Sequence, residues 1–130
     1  MIPVYQPYLP SGAIDHAFQA LNDGWISSRG TFVQLLEELC SEMYFYEDAT
    51  SICNGTCALN LVFHLLKTRG KKRIFIPDYT YVATYNAAAT AGLDIVLVDV
   101  ELSSWNMDFE SIADNFDLDS SDIVCLVDIY

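Results

Sequence analysis

The run Ile95-Val96-Leu97-Val98 constrains the fold of this chain more than any other feature. A half-solvated strand alternates apolar and polar residues, whereas a strand with no alternation is covered on both faces. Asp94 to Val100, with this run at its centre, therefore reads as a buried strand. Ile74-Phe75-Ile76, closed by Pro77, has the same character, as does Ile123 to Tyr130. A short β-like run, Ala49 to Cys53, precedes them. Between these runs the apolar period becomes helical. Cys57, Ala58, Leu61, Val62, Leu65 and Leu66 share one face of a helix that ends at Arg69-Gly70. Tyr81 to Ala91 reads as a small-residue helix stopped by Gly92, and Phe109 to Phe116 as a short helix with Asp108 as its cap. Buried strands alternating with helices predict an α/β domain, a mostly parallel sheet with helices on both faces.

The first 48 residues follow another pattern. Ile2 to Pro10 is rich in proline and suits an extended arm. Ala13, Ile14, Ala17, Phe18 and Leu21 fall at helical spacing before Gly24. A second helix is expected from Thr31, where Thr31 and Gln34 have capping-box spacing, with Phe32, Leu35, Leu36, Leu39, Cys40 and Met43 as its apolar stripe. The sequence thus divides into 1–48, an arm and two helices, and 49–130, an α/β portion.

Composition removes several function classes. The 130 residues are 52% hydrophobic and 18% charged, enough for a real core. A formal charge of −12 disfavours nucleic acid and anionic membrane surfaces as partners. The start has neither a basic nor an apolar leader pattern, and no apolar run approaches a membrane span, so the chain reads as cytoplasmic. Cys40, Cys53, Cys57 and Cys125 form no C-x-x-C, and His16 and His64 are far apart in sequence. The expectation is four reduced thiols, mostly small core residues, with no metal site.

In open α/β sheets ligands bind beyond the carboxyl ends of the strands. Asn54-Gly55-Thr56-Cys57 opens a helix at such an end. Free amides at the positive end of a helix dipole, with a glycine allowing close approach, suit a phosphate. Asn-Gly is equally an ordinary turn, and Thr56 is equally a plain N-cap. Pro77-Asp78-Tyr79-Thr80-Tyr81-Val82-Ala83-Thr84 brings rings and hydroxyls to the same sheet edge. A tyrosine there can stack on a flat heteroaromatic ligand or simply pack the edge.

Three separated segments together resemble the DegT/DnrJ/EryC1/StrS family of sugar aminotransferases, a branch of the fold-type I pyridoxal-phosphate enzymes. They are Gly24-Trp25-Ile26-Ser27-Ser28-Arg29-Gly30, Cys53-Asn54-Gly55-Thr56-Cys57-Ala58-Leu59, and Ile76 to Thr84. The match continues through Ala91-Gly92, Val98-Asp99-Val100 and Trp105-Asn106-Met107-Asp108, and covers essentially the whole chain. The resemblance implies a partial large domain of a pyridoxal 5'-phosphate-dependent transferase. It assigns cofactor phosphate contact to Gly55, Thr56 and Cys57 and ring stacking to Tyr81. It sets Trp25, Ser27 and Ser28 on the substrate side near a dimer interface, with Asn86 at the rim. The activity it implies is amino transfer onto a nucleotide-linked 4-keto-6-deoxysugar, with a donor such as glutamate and perosamine- or viosamine-type products.

Two departures matter. Asp128 stands where the family more often has a histidine, a change the sequence does not explain. The family's Schiff-base lysine has no counterpart here. Lys67, Lys71 and Lys72 lie near the end of the helix that follows the phosphate turn, away from that turn, and suit the negative end of its dipole. No catalytic residue is therefore assigned. Val127-Asp128-Ile129-Tyr130 ends the sequence inside an apolar strand, which reads as a truncation, so the isolated chain is expected to be inactive. Two alternatives remain: a non-catalytic binding or assembly protein, associating through an unfinished sheet, and a small receiver- or flavodoxin-like domain using Asp99 and Asp128.

Overall fold

The computed structural model describes residues 6–129. The readings of residues 2–5 as extended arm and of Tyr130 as strand lie outside the described residues. Gln6 to Pro10 carry no helix or strand. The chain divides into two units, Met1–Ser51 and Ile52–Tyr130.

In the first unit, α1 (Ser11–Asn22) starts directly after Pro10, and Gly24 ends the turn that follows it with φ 74°. Helix α2 spans Thr31–Tyr44. The capping box expected at Thr31 and Gln34 is not formed. The N-cap is Gly30, whose carbonyl accepts from the Val33 amide at 3.2 Å and the Gln34 amide at 3.3 Å. Gly30 has φ 146°, a conformation that needs glycine, and Thr31 is already inside the helix, where its hydroxyl no longer occupies the cap position. The His16 ring meets the Phe32 ring at a centroid distance of 5.1 Å, which joins the two helices. Ser51 donates from its amide (2.8 Å) and hydroxyl (2.9 Å) to Glu37 Oε1. These bonds hold the Glu37 carboxyl below its ordinary pKa.

That tie also explains a correction. Ala49 to Cys53, expected as a strand, forms no ladder. The Ser51 amide is consumed by a side chain of α2 rather than by a neighbouring strand.

The second unit contains α3 (Gly55–Thr68), β1 (Arg73–Pro77), α4 (Val82–Thr90), β2 (Asp94–Val98), α5 (Phe109–Asn115) and β3 (Asp122–Val124). The strands form a parallel sheet in the order β2-β1-β3, with Ile74 opposite Ile95 and Ile123. The central strand is the most buried element: Ile74, Phe75, Ile76 and Pro77 are all fully enclosed. Strand periodicity splits it between two layers. Ile74 and Ile76 pack with Phe63 of α3 and with Ala87, Ala88 and Ala91 of the α4 segment. Phe75 turns the other way, onto Val98, Met107 and Ile112. Helices thus cover both faces, as the uninterrupted apolar runs required. Alanines on α4 permit close approach to the sheet, and Phe75 fills the opposite layer edge-on to Phe116 at 5.1 Å.

Strand β3 is shorter than expected. The apolar run predicts one strand over Ile123 to Tyr130, yet the ladder ends at Val124 with one further bond, from the Cys125 amide to the Phe75 carbonyl at 2.9 Å. In a parallel pair alternate residues face the same neighbour, so the next β1 residue directed at β3 is Pro77. Proline has no amide to donate, and the pairing stops there. Strand β2 similarly ends at Val98 rather than Val100, which instead forms an antiparallel bridge with Met107.

The amino edge of the sheet is fastened by charge. Arg73 makes a two-pronged pair with Asp122, Nε to Oδ1 and Nη2 to Oδ2, each at 2.8 Å. Its guanidinium also lies 5.0 Å from the Phe75 ring centroid. The Arg73 hydrogen bonds, aided by the Asp119 amide, pull the Asp122 carboxyl down to about 2.

Candidate functional site

Helix α3 enters β1 through the short connection Arg69 to Lys72, so the two run in opposite directions along the sheet. The N terminus of α3 therefore lies toward the carboxyl edge, where β1 leaves through Asp78 to Tyr81 into α4. The sequence-predicted turn and Tyr81 both belong to this edge.

The turn is built around Asn54. It has extended backbone (φ −165°, ψ 166°) and is the N-cap of α3, its Oδ1 accepting from the Cys57 amide at 2.9 Å. Its carbonyl accepts from the Ala58 amide at 3.1 Å. Thr56, weighed in the sequence as the cap, lies inside the helix instead. Of the four amides a helix leaves unpaired at its start, here those of Asn54 to Cys57, the Asn54 side chain thus takes one, that of Cys57. The amides of Gly55 and Thr56 have no acceptor among the described residues, and Gly55 is open: a Cβ built on it meets nothing within 4 Å. The Cys57 amide, expected to contact phosphate, is already held by Asn54. A concave surface of about 390 Å³, lined by Thr56, Cys57, Asn60, Leu61 and His64, continues from the turn along α3.

Tyr81 is the N-cap residue of α4 and is 78% exposed, so its ring is free to meet a ligand face. With Tyr79, Thr80 and Ile129 it lines a second concavity of about 270 Å³. The Thr80 hydroxyl there is buried and has no hydrogen-bond partner among the described residues. Asn86 is exposed on α4 and lines neither concavity; its carbonyl accepts from the Thr90 hydroxyl at 2.7 Å. Trp25, Ser27 and Ser28 belong to the first unit, on the loop joining α1 and α2, and all three are exposed. The Trp25 ring lies against Gly30, where a Cβ would come within 3.1 Å of the tryptophan.

Sequence reasoning missed one pairing at this edge. Trp105 packs on Tyr79 with centroids 5.0 Å apart. Trp105 occupies the left-handed region at φ 60°, and its amide donates to the Glu101 carbonyl at 2.8 Å. Such a conformation costs an L-residue about 1–2 kcal/mol, which ring packing of this kind offsets by about 0.5–1.5 kcal/mol. Both residues stood within quoted motifs, but a left-handed tryptophan has no signature in sequence.

The lysines stand elsewhere. Lys71 Nζ donates to the Ser120 carbonyl at 2.6 Å and the Asp122 carbonyl at 3.3 Å, which ties it to the amino edge of β3. Lys67 and Lys72 are exposed. Asp128 is exposed as well and has no structural feature that explains its identity. All four thiols are free, but the core role expected for most of them holds only in part: Cys40 and Cys125 are half-buried, whereas Cys53 and Cys57 are exposed. Among the described residues no group of three or more His, Cys, Asp or Glu side chains is placed to hold a metal ion. No helix among them is long and apolar enough to cross a membrane.

The Gly-Thr turn that starts α3 and the exposed Tyr81 thus lie at the carboxyl edge of one parallel α/β sheet. Residues 10–130 match the model of the DegT/DnrJ/EryC1/StrS aminotransferase family, and the chain belongs to that family. It is 31% identical to the GDP-perosamine synthase of Escherichia coli O157:H7 over 125 residues, 96% of this chain and 34% of that protein. It is likewise 31% identical to the GDP-perosamine synthase of Vibrio cholerae, over 86% of this chain and 30% of that protein. Among solved structures, the Escherichia coli GDP-4-keto-6-deoxy-D-mannose-3-dehydratase with bound hydrated PLP superposes with a TM-score of 0.78. It is 22% identical and matches 95% of this chain and 33% of that one, a likeness of fold. The chain spans about a third of the length of these relatives. Family membership leaves the receiver- or flavodoxin-type alternative without support.

Proposed function

We propose that this chain contributes the phosphate- and ring-binding side of a pyridoxal-phosphate-dependent amino transfer onto a nucleotide-linked 4-keto-6-deoxysugar, with an amino donor such as glutamate. The observation that carries the reading is the start of α3, where the Gly55 and Thr56 amides, at the positive end of a 14-residue helix, have no acceptor among the described residues. The open space around Gly55 fits a phosphate approaching the backbone closely. The exposed Tyr81 ring fits a stacking role at the same sheet edge. The family resemblance and the perosamine synthase relatives support the substrate class.

When bound, the cofactor supplies an electron sink for the carbon that exchanges its amino group. In this reading the residues of the chain bind and orient. The two amides donate to the phosphate oxygens, Thr56 adds a hydroxyl, and Tyr81 fixes the ring plane. The Cys57 amide joins them only if Asn54 releases it. Trp25, Ser27, Ser28 and Asn86 are proposed for the substrate side. The 130 residues alone perform no transamination, because none of their lysines is suited to carry the cofactor. Lys71 is committed to carbonyls at the amino edge, and Lys67 and Lys72 are solvated cations, unlike the partly desolvated amine such chemistry requires.

Borohydride reduction in the presence of pyridoxal 5'-phosphate, followed by peptide mapping, tests the last point. The expected result is no stoichiometric pyridoxyl label at Lys67, Lys71 or Lys72, and specific labelling of one of them would overturn it. Amide shifts on titration with inorganic phosphate test the first point, with Gly55 and Thr56 expected to respond most. A second reading, that the chain also serves as an association module, is favoured by the apolar stripe of α1, where Ile14, Phe18 and Leu21 are 48–62% exposed. A clean monomer in sedimentation would refute it.

A further inference from the structure

Tyr81 reaches the carboxyl edge on a connection that does little to hold itself. Between the end of β1 and the start of α4, the Asp78 amide donates to the Val98 carbonyl at 2.9 Å. The next three amides, of Tyr79, Thr80 and Tyr81, find no acceptor among the described residues, and the Thr80 hydroxyl is buried without a partner among them. Buried polar groups in a self-sufficient segment are paired within it, so this connection is shaped from outside. The contact that reaches it is the Tyr79 ring on Trp105, at a centroid distance of 5.0 Å.

Trp105 is held more firmly than Tyr79. At φ 60° it adopts a conformation that a bulky residue keeps only where its surroundings impose it. Those surroundings are the turn after β2. The Trp105 amide donates to the Glu101 carbonyl at 2.8 Å, and the Glu101 amide to the Asn106 carbonyl at 3.0 Å. The Ser104 hydroxyl donates to Glu101 Oε2 at 2.9 Å and accepts from the Asn106 amide at 3.2 Å. The bridge between Val100 and Met107 closes the turn, and Met107 is buried in the layer that Phe75 enters. Asn106 Oδ1 also accepts from the Ile129 amide at 3.4 Å. Ile129 lines the same concavity as Tyr79, Thr80 and Tyr81, so one turn grips it from both sides.

We propose that Trp105 is a positioning residue: through Tyr79 it sets the connection that presents Tyr81, and so the affinity of this edge for a flat ring. The first half stands on the geometry alone, and the second rests on the ring-binding reading of Tyr81. Left-handed strain and ring packing offset each other at Trp105, so the turn gains little net stability from a tryptophan there. Glycine takes φ 60° freely. What glycine loses is the grip on Tyr79, which precedes Tyr81 by two residues with no amide anchored between them. Trp105 itself meets no ligand in this reading and acts on the bound ring only through Tyr79.

The test compares Trp105→Gly, Trp105→Phe and Tyr79→Ala in the full chain. Without ligand, amide hydrogen exchange is followed at Thr84, whose amide donates to the Tyr81 carbonyl at 3.1 Å, and at Ile76 in the buried β1 as the control. Trp105→Gly and Tyr79→Ala should each speed exchange at Thr84 by about threefold to tenfold beyond any change at Ile76. Trp105→Phe, which keeps a ring, should stay near wild type. The double variant should gain nothing further, since both changes remove one contact. If Trp105→Gly does not fold, Tyr79→Ala carries the same reading. A Thr84 rate that moves no more than that of Ile76 overturns the positioning role. The second half is read with two probes, inorganic phosphate at the Gly55 and Thr56 amides and pyridoxine 5'-phosphate at Tyr81. Trp105→Gly should weaken pyridoxine 5'-phosphate by about threefold to tenfold and leave inorganic phosphate unchanged, with recovery in Trp105→Phe. General loosening of the unit would weaken both. Equal affinity for pyridoxine 5'-phosphate in wild type and Trp105→Gly overturns the second half. In wild type, silence of Gly55 and Thr56 toward both probes overturns the phosphate reading, and silence of Tyr81 toward pyridoxine 5'-phosphate overturns the ring reading. The exchange rates decide the role of Trp105 in either case.

Discussion

Replacing Asn54 by aspartate should move stability and phosphate affinity in opposite directions. Aspartate keeps the shape of the side chain and an acceptor oxygen for the Cys57 amide, now 2.9 Å from Asn54 Oδ1. It also adds a negative charge at the positive end of α3, worth about 0.3–1 kcal/mol to the helix. The same carboxylate stands beside the Gly55 and Thr56 amides. At a separation of ~5 Å and the dielectric of water it opposes each phosphate charge by on the order of 0.8 kcal/mol. A dianionic phosphate then loses on the order of tenfold in affinity. Asn54→Ala gives the complementary result. It removes the cap and costs about 1 kcal/mol, roughly 4–8 °C in melting temperature for a unit of this size, without adding charge. Thermal unfolding by circular dichroism reads the stability, and phosphate titration of the Gly55 and Thr56 amides reads the affinity. The reasoning fails if Asn54→Asp binds phosphate as well as wild type, or if Asn54→Ala melts with it.

Two further expectations concern the sheet. Phe75→Ala empties a fully buried site between β1 and α5 and should cost about 3–5 kcal/mol, of which the edge-on pair with Phe116 accounts for about 0.5–1.5 kcal/mol; urea unfolding would show it, and a loss below 1 kcal/mol would mean the layer collapses around the gap. The Asp122 carboxyl, held at about 2 by Arg73 against an ordinary 3.8, gives stability that is present above 3.8 and lost as pH falls through about 2. Glu37 and Asp119 are lowered as well and add to the loss in the same direction. Acid unfolding should steepen in that window, and Asp122→Asn should be less stable at neutral pH with a flatter acid limb.

Much of the fold could be read from the sequence because the strongest signals are local. Ile74-Phe75-Ile76 and Ile95 to Val98 lack polar alternation, which only a sheet covered on both faces tolerates. Gly24 and Gly92, at φ 74° and φ 71°, end their helices where chain geometry demands glycine. Asp108 caps α5 as expected, its Oδ1 accepting from the Glu110 amide at 3.0 Å and the Ser111 amide at 3.2 Å. The misreadings share one cause. Whether Ala49 to Cys53 forms a strand depends on a neighbour to pair with, and there Ser51 pairs with Glu37 instead. The length of β3 depends on which residue of β1 faces it, and that residue is a proline without an amide.

The candidate site divides along the same line. The sequence by itself determined that a Gly-Thr turn starts a helix near a strand end and that a tyrosine follows the next strand, since both are contiguous motifs with local geometry. Only the tertiary structure decided which amides remain unpaired. Asn54 takes the one from Cys57 and leaves those of Gly55 and Thr56, because a side-chain rotamer and not a spacing selects the acceptor. It also decided that Trp105 packs on Tyr79 from 26 positions along the chain. Contacts of this kind depend on how the chain folds back on itself, and hydrophobic periodicity carries no record of them.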